Sequence, residues 1–169
     1  MEFKEYMIKR KKDAKETILT ALLYLAATII AIACFIGLAS WGGIGTLLGA
    51  GCYYAAYRIA SKFNREFEYI ITGDCIDIDV IYNAKSRKRL ISFTMENAEI
   101  IASVNDANHK QLLKGEYQKV IDATSGYGNS VVYFAVVDKG GRQLVKFEPP
   151  HAALEALRKF APSKVVITD

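Results

Sequence analysis

Histidine occurs twice, cysteine three times, proline three times and tryptophan once in 169 residues, and the stretch from Thr17 to Tyr57 contains no Asp, Glu, Lys, Arg or His. Cys34, Cys52 and Cys75 match no metal or redox spacing, and an odd cysteine count excludes a closed disulfide framework. Free thiols and a cytoplasmic soluble part are therefore expected. His109 and His151 stand apart with no acid/base partner identifiable in sequence, and Ser92 and Ser125 lack the strand-turn-helix context of an activated nucleophile. The glycine pairs at Gly126-Tyr127-Gly128 and Gly140-Gly141 read as hairpin loops, because neither leads from a strand into a helix as a phosphate-binding loop does. No enzyme activity, cofactor or metal is expected. A formal net charge of +4 is too small and too dispersed for a nucleic-acid partner. The uncharged stretch excludes a proton relay or ion path within it.

What is present is the stretch itself. Its 41 residues exceed the roughly 20 apolar residues that cross a bilayer once, so it reads as a two-helix transmembrane hairpin over 17–57. It is too long for a signal-peptide core. The helices are placed at about Thr17 to Ala39 and Gly43 to Tyr57, joined at Ser40-Trp41-Gly42-Gly43. Residues 1–16 form a basic juxtamembrane segment with Lys4, Lys9, Arg10, Lys11, Lys12 and Lys15, while Arg58, Lys62 and Arg65 mark a linker over 58–66. Lys and Arg concentrate on the cytoplasmic side, which predicts a multi-pass plasma-membrane protein with both termini cytoplasmic and the Trp41 turn outside. Tyr53, Tyr54 and Tyr57 are placed in the cytoplasmic aromatic belt. Gly45 and Gly49 form a GxxxG pattern, and Ala27 and Ala31 give the first helix a matching small-residue face. Close approach through small residues drives helix packing in lipid, either between these two helices or in a homo-oligomer.

From Phe67 the periodicity becomes that of strands, leaving room for one soluble domain over 67–169. Strands are predicted at Phe67–Thr72, Cys75–Tyr82, Arg89–Thr94, Ala98–Val104, Tyr117–Ala123, Ser130–Val137 and Arg142–Glu148, with hairpin turns at Gly73-Asp74 and Gly140-Gly141. Asn105–Glu116 is polar and irregular. Pro149-Pro150 opens a helix with an apolar stripe of Ala153, Leu154, Leu157, Phe160 and Ala161, and Pro162 ends it. Seven antiparallel strands followed by one amphipathic helix resemble a PH-like barrel or sandwich. The predicted fold class is an α+β membrane protein, an N-terminal helical hairpin followed by that domain.

The two-helix anchor, EFEYIITGDCIDIDVI, KSRKRLISF, VKFEPP and LRKFAPSKVV together resemble a family of small bacterial integral membrane proteins with a cytoplasmic PH-like domain. The resemblance implies no reaction and no functional residues. Phosphoinositide-binding PH domains carry basic residues in the loop between their first two strands. On the seven-strand reading that loop is Thr72-Gly73-Asp74, which is acidic, so that specificity is not carried over.

Two charged features remain. Asp74, Asp77 and Asp79 lack the spacing of a calcium loop and read as solvent-facing alternation. The basic turn of Lys85, Arg87, Lys88 and Arg89 is the candidate contact with anionic lipid, against the alternative of a solvated tip that protects a sheet edge. The expected function is a non-enzymatic, membrane-anchored module that binds a protein partner or docks on anionic lipid at the inner face. The alternative is an assembly or oligomerisation protein, or an accessory subunit of a transport or enzyme complex.

Overall fold

The computed structural model describes residues 3–38 and 43–167. The chain forms two compact units, one made of residues up to Lys11 and from Glu66 onward, the other of Lys12–Arg65. The expected turn at Ser40, Trp41 and Gly42 lies outside the described residues.

The helical unit contains α1, Ala14–Gly37, and α2, Ile44–Ala60. Asp13 caps α1 in a capping box with Glu16, whose carboxylate accepts the Asp13 N–H at 3.1 Å. Both helices overrun the expected bounds. α1 starts three residues early because the box supplies its first turn, and α2 continues through Arg58 because Arg58 and Ile59 are good enough helix formers. α1 is long and apolar enough to cross a membrane by length and composition, and Ile18, Leu22, Leu25, Ile29, Phe35 and Ile36 on it are exposed. The helices pack on one another through small residues. Ala27, Gly45, Gly49, Ala56 and Ala60 are the buried positions.

The other unit holds two four-stranded sheets, in the orders β1-β2-β3-β4 and β5-β7-β8-β6. Its strands are β1 (Phe3–Lys9), β2 (Arg65–Thr72), β3 (Cys75–Tyr82), β4 (Ser86–Thr94), β5 (Ala98–Ser103), β6 (Lys119–Asp122), β7 (Tyr133–Asp138) and β8 (Arg142–Phe147), followed by helix α3 (His151–Phe160). Three expectations change. There are eight described strands rather than seven, β6 runs parallel to β8, and the sheets do not close into a barrel.

The added strand is β1. Residues 1–16 were expected to be a flank of the helices, yet Phe3–Lys9 pairs antiparallel with β2 from Phe3↔Thr72 to Lys9↔Glu66. Tyr6 and Ile8 pack on the core, which offsets the entropy of closing so long a loop. The helical unit is therefore an insertion between the first two strands of the sheet, and the sheet unit is discontinuous in sequence. It also follows that Thr72-Gly73-Asp74 joins the second and third strands, not the first two. The segment between the first two strands is the helical pair with its basic flanks.

The core lies between the sheets and α3. Tyr69, Ile76, Ile78, Phe93, Phe147 and Leu154 are among its fully buried side chains, and the rings of Tyr69 and Phe147 meet edge to face at 5.8 Å. The expected stripe of α3 is buried at Ala153, Leu154 and Leu157, whereas Phe160 is exposed. β7 is buried along YFAVV because both its faces are covered, the outer one by Leu112, Leu113, Tyr117 and Val166. The tail returns beside β5, where Ile101 bridges Val165.

Candidate functional site

Because β1 to β4 are antiparallel neighbours, the C-end of β1, the N-end of β2 and the β3–β4 turn share one end of that sheet. The chain leaves this unit after Lys11 and returns at Glu66, so the same end carries both connections to the helices. Lys9, Arg10 and Lys11 belong to it, and so does the turn that begins after Tyr82.

That turn is closed by the Lys85 N–H on the Tyr82 carbonyl at 3.0 Å, with Asn83 and Ala84 both left-handed at φ 50° and 52°. Two positive φ values in sequence are the signature of a type I′ turn, whose twist matches that of the strands. Asn tolerates this region well. Ala does so at a cost of roughly 1–2 kcal/mol.

A strict alternation along Arg87, Lys88, Arg89, Leu90, Ile91, Ser92 and Phe93 would put both arginines on the face of Ile91 and Phe93, which is the core face. The register prevents this. Ile78 pairs Ile91 but Asp79 pairs Arg89, so Leu90 is an extra residue in a β-bulge. One inserted residue reverses the facing of everything before it. Arg87 and Arg89 thereby join Asp77 and Asp79 on the outer face while Ile91 and Phe93 stay inside.

There the four side chains form a network with Glu68 of β2. Asp79 accepts Arg87 Nε at 2.7 Å and Arg89 Nε at 2.5 Å, Asp77 accepts Arg89 Nη1 at 2.8 Å, and Arg87 also contacts Glu68. The Asp79 and Glu68 side chains are only 3% and 4% exposed, against 49% for each arginine. Glu68 Oε2 has no other hydrogen-bond partner among the described residues, so the Arg87 guanidinium is what compensates its burial. The hydrogen bond that Arg89 donates to the Asp79 carboxylate raises the Arg89 pKa further above its ordinary value. Asp79 is thus buried, contrary to the expectation of a solvent-facing carboxylate, because two guanidiniums cover it.

Of the expected lipid contacts, Arg87 and Arg89 are therefore engaged by carboxylates. Lys85 and Lys88 are exposed, and Lys88 lies opposite Val80 on the other face of the strand. The expected helix-packing residues are Gly45, Gly49, Ala27 and Ala31. A Cβ on Gly45 would strike the Cys34 carbonyl oxygen, one on Gly49 would come within 3.2 Å of the Ala31 Cβ, and Ala27 is buried. Thr28 and Tyr53 add a hydroxyl hydrogen bond of 2.5 Å between the helices, and both Tyr53 and Tyr54 are exposed.

Sequence reading missed the partner of His109. Asp106 lies three residues earlier in a turn and meets His109 Nδ1 at 2.6 Å, which lowers the Asp106 pKa below the ordinary carboxylate value. The D-A-N-H spacing carries that signal, since an aspartate that opens a turn faces the residue three positions on. No hydroxyl or thiol bonds this histidine among the described residues, so the pair lacks a nucleophile. His151 sits in the first turn of α3, exposed, 3.7 Å from Glu155. No three His, Cys, Asp or Glu side chains converge as a metal site requires among the described residues. A groove of about 680 Å³ runs beside the edge strand β1, lined by Tyr6, Ile8, Val131, Tyr133, Pro149 and Leu154.

No curated protein matches the chain, and no solved structure does. A family model described as a bacterial PH-like domain, DUF6106, matches residues 2–167 and so includes both β1 and the helical insertion. The chain belongs to the DUF6106 family of bacterial PH-like domains.

Proposed function

We propose that the protein is a non-enzymatic docking module, anchored in the plasma membrane by α1 and α2 and presenting its PH-like domain at the inner face, where the β3–β4 turn contacts anionic lipid. The observation that carries this reading is the insertion of the helices between two adjacent strands. Both connections to the helices leave one end of the sheet, from neighbouring strands. The β3–β4 turn is at that end. Lys85 and Lys88 would each contribute about 1 kcal/mol of attraction near an anionic surface, added to the field of Lys9, Arg10, Lys11 and Lys12.

The length of α2, about 26 Å at roughly 1.5 Å per residue, falls short of a hydrocarbon core of about 30 Å, so its crossing uses residues on either side of Ile44–Ala60. The pairing of β1 with β2 supports a topology in which both strands lie on one side of the bilayer, and the Lys/Arg flanks favour the cytoplasmic side. A second reading is favoured by the open edge of β1 and its apolar groove: a protein partner adds an extended strand there.

The test uses the whole chain in vesicles, because the domain is discontinuous. Amide exchange at residues 83–88 is expected to slow when anionic phospholipid replaces part of a zwitterionic bilayer, and Lys85→Gln with Lys88→Gln removes the difference. Equal exchange in both lipids contradicts lipid docking at this turn. Resistance to alkaline carbonate extraction separately checks the anchor.

A further inference from the structure

We propose that the Gly126-Tyr127-Gly128 loop is a second bilayer contact, one that places the Tyr127 ring in the lipid head-group layer. This rests on the reading of α1 as a membrane span.

The loop is bound to the chain where it leaves the domain. The Lys11 N–H donates to the Ser125 carbonyl at 2.7 Å, the Gly126 α-carbon faces the Lys11 side chain, and Lys11 Nζ stands 5.9 Å from the centre of the Tyr127 ring. α1 begins at Ala14. At about 3.8 Å between successive α-carbons, chain connectivity keeps Lys11 within roughly 11 Å of that residue. The head-group layer of each leaflet is itself several ångströms thick, so a side chain attached at this point is within reach of it.

The base of the loop is held by hydrogen bonds and its tip is exposed. Ser125 donates through its N–H and its hydroxyl to the buried Glu148 carboxylate at 3.0 and 3.1 Å, and the Tyr127 N–H donates to Ser125 Oγ at 3.2 Å. Gly126 and Gly128 are left-handed at φ 75° and 73°, conformations that glycine adopts without strain. Tyr127 is 50% exposed, and Val131 a few residues on is 53% exposed. An aromatic ring with a polar tip suits the head-group layer, and the surrounding charge suits anionic lipid, since Lys9, Arg10, Lys11 and Lys12 are consecutive at the same exit.

Tryptophan fluorescence tests this in the full chain reconstituted into vesicles of mixed zwitterionic and anionic phospholipid. The single native tryptophan is removed by Trp41→Phe, and reporters are introduced as Tyr127→Trp or, as the control, Phe160→Trp. Phe160 is exposed and lies against Gly73 in the β2–β3 turn, at the opposite end of the sheet. Nitroxide lipid labelled in the head group is expected to quench the Tyr127→Trp reporter and leave Phe160→Trp unaffected, while aqueous iodide shows the reverse order. Equal responses from the two reporters, in chain that resists carbonate extraction, overturn the inference and leave the anchor intact. Carbonate extraction of the chain overturns the span reading instead. A polarity-sensitive dye on Tyr127→Cys, in a chain freed of its three native cysteines, gives the same decision if tryptophan perturbs the loop.

Discussion

Asp79 shows how far one side chain depends on its neighbours. Its carboxylate is buried between two guanidiniums, so Asp79→Asn removes the charge that Arg87 and Arg89 share and puts an amide donor where one of them donates. A destabilisation of about 1–3 kcal/mol is expected, read as a lower melting temperature of the full chain in detergent. Ala84→Gly works in the opposite direction, because it relieves a left-handed alanine in the type I′ turn; a gain of roughly 1 kcal/mol is expected in the same measurement. The Asp106 carboxyl, held below its ordinary pKa by His109, contributes stability that is complete above the ordinary carboxylate range and is lost as pH falls through the depressed value. His109→Ala is expected to flatten that acid limb in melting curves taken against pH. Alternation along CIDIDVIY did reveal that Asp77 and Asp79 share a face. It did not reveal what covers the face, because the covering arginines reach it only through the bulge at Leu90, and nothing in RKRLISF distinguishes a bulged strand from a regular one.

At the scale of elements, the small residues of the helices separate into those that touch and those that do not. Gly45→Ala puts a Cβ against the Cys34 backbone and is expected to loosen the helix pair, whereas Gly51→Ala meets nothing within 4 Å and gains helix propensity of about 1 kcal/mol. Melting of the two variants in detergent should move in opposite directions. The GxxxG spacing was legible because it is local. Strand β1 was not. Its apolar residues, Phe3, Tyr6, Met7 and Ile8, do not alternate, and its partner lies on the far side of a long apolar segment that dominates any reading of this region. The parallel pairing of β6 with β8 was hidden for a related reason: a four-residue strand carries little pattern, and parallel addition across an intervening hairpin leaves no turn signature. The hairpins β2–β3 and β7–β8 were read correctly from their glycine turns.

For the whole molecule, the insertion of α1 and α2 within the sheet matters most. It makes β1 part of the PH-like domain, ties two adjacent strand ends to the helices and places the Lys85 turn at the same end. The most direct measurement is labelling of intact cells with a membrane-impermeant thiol reagent, using single cysteines at Met7→Cys in β1, Ser40→Cys between the helices and Ser163→Cys after α3, each in a chain without native cysteines. The expected result is reaction at Ser40→Cys alone, with Met7→Cys and Ser163→Cys both protected until the membrane is permeabilised. Reaction at only one of Met7→Cys and Ser163→Cys would put β1 and the rest of its sheet on opposite sides of the bilayer, contradicting a domain built from both.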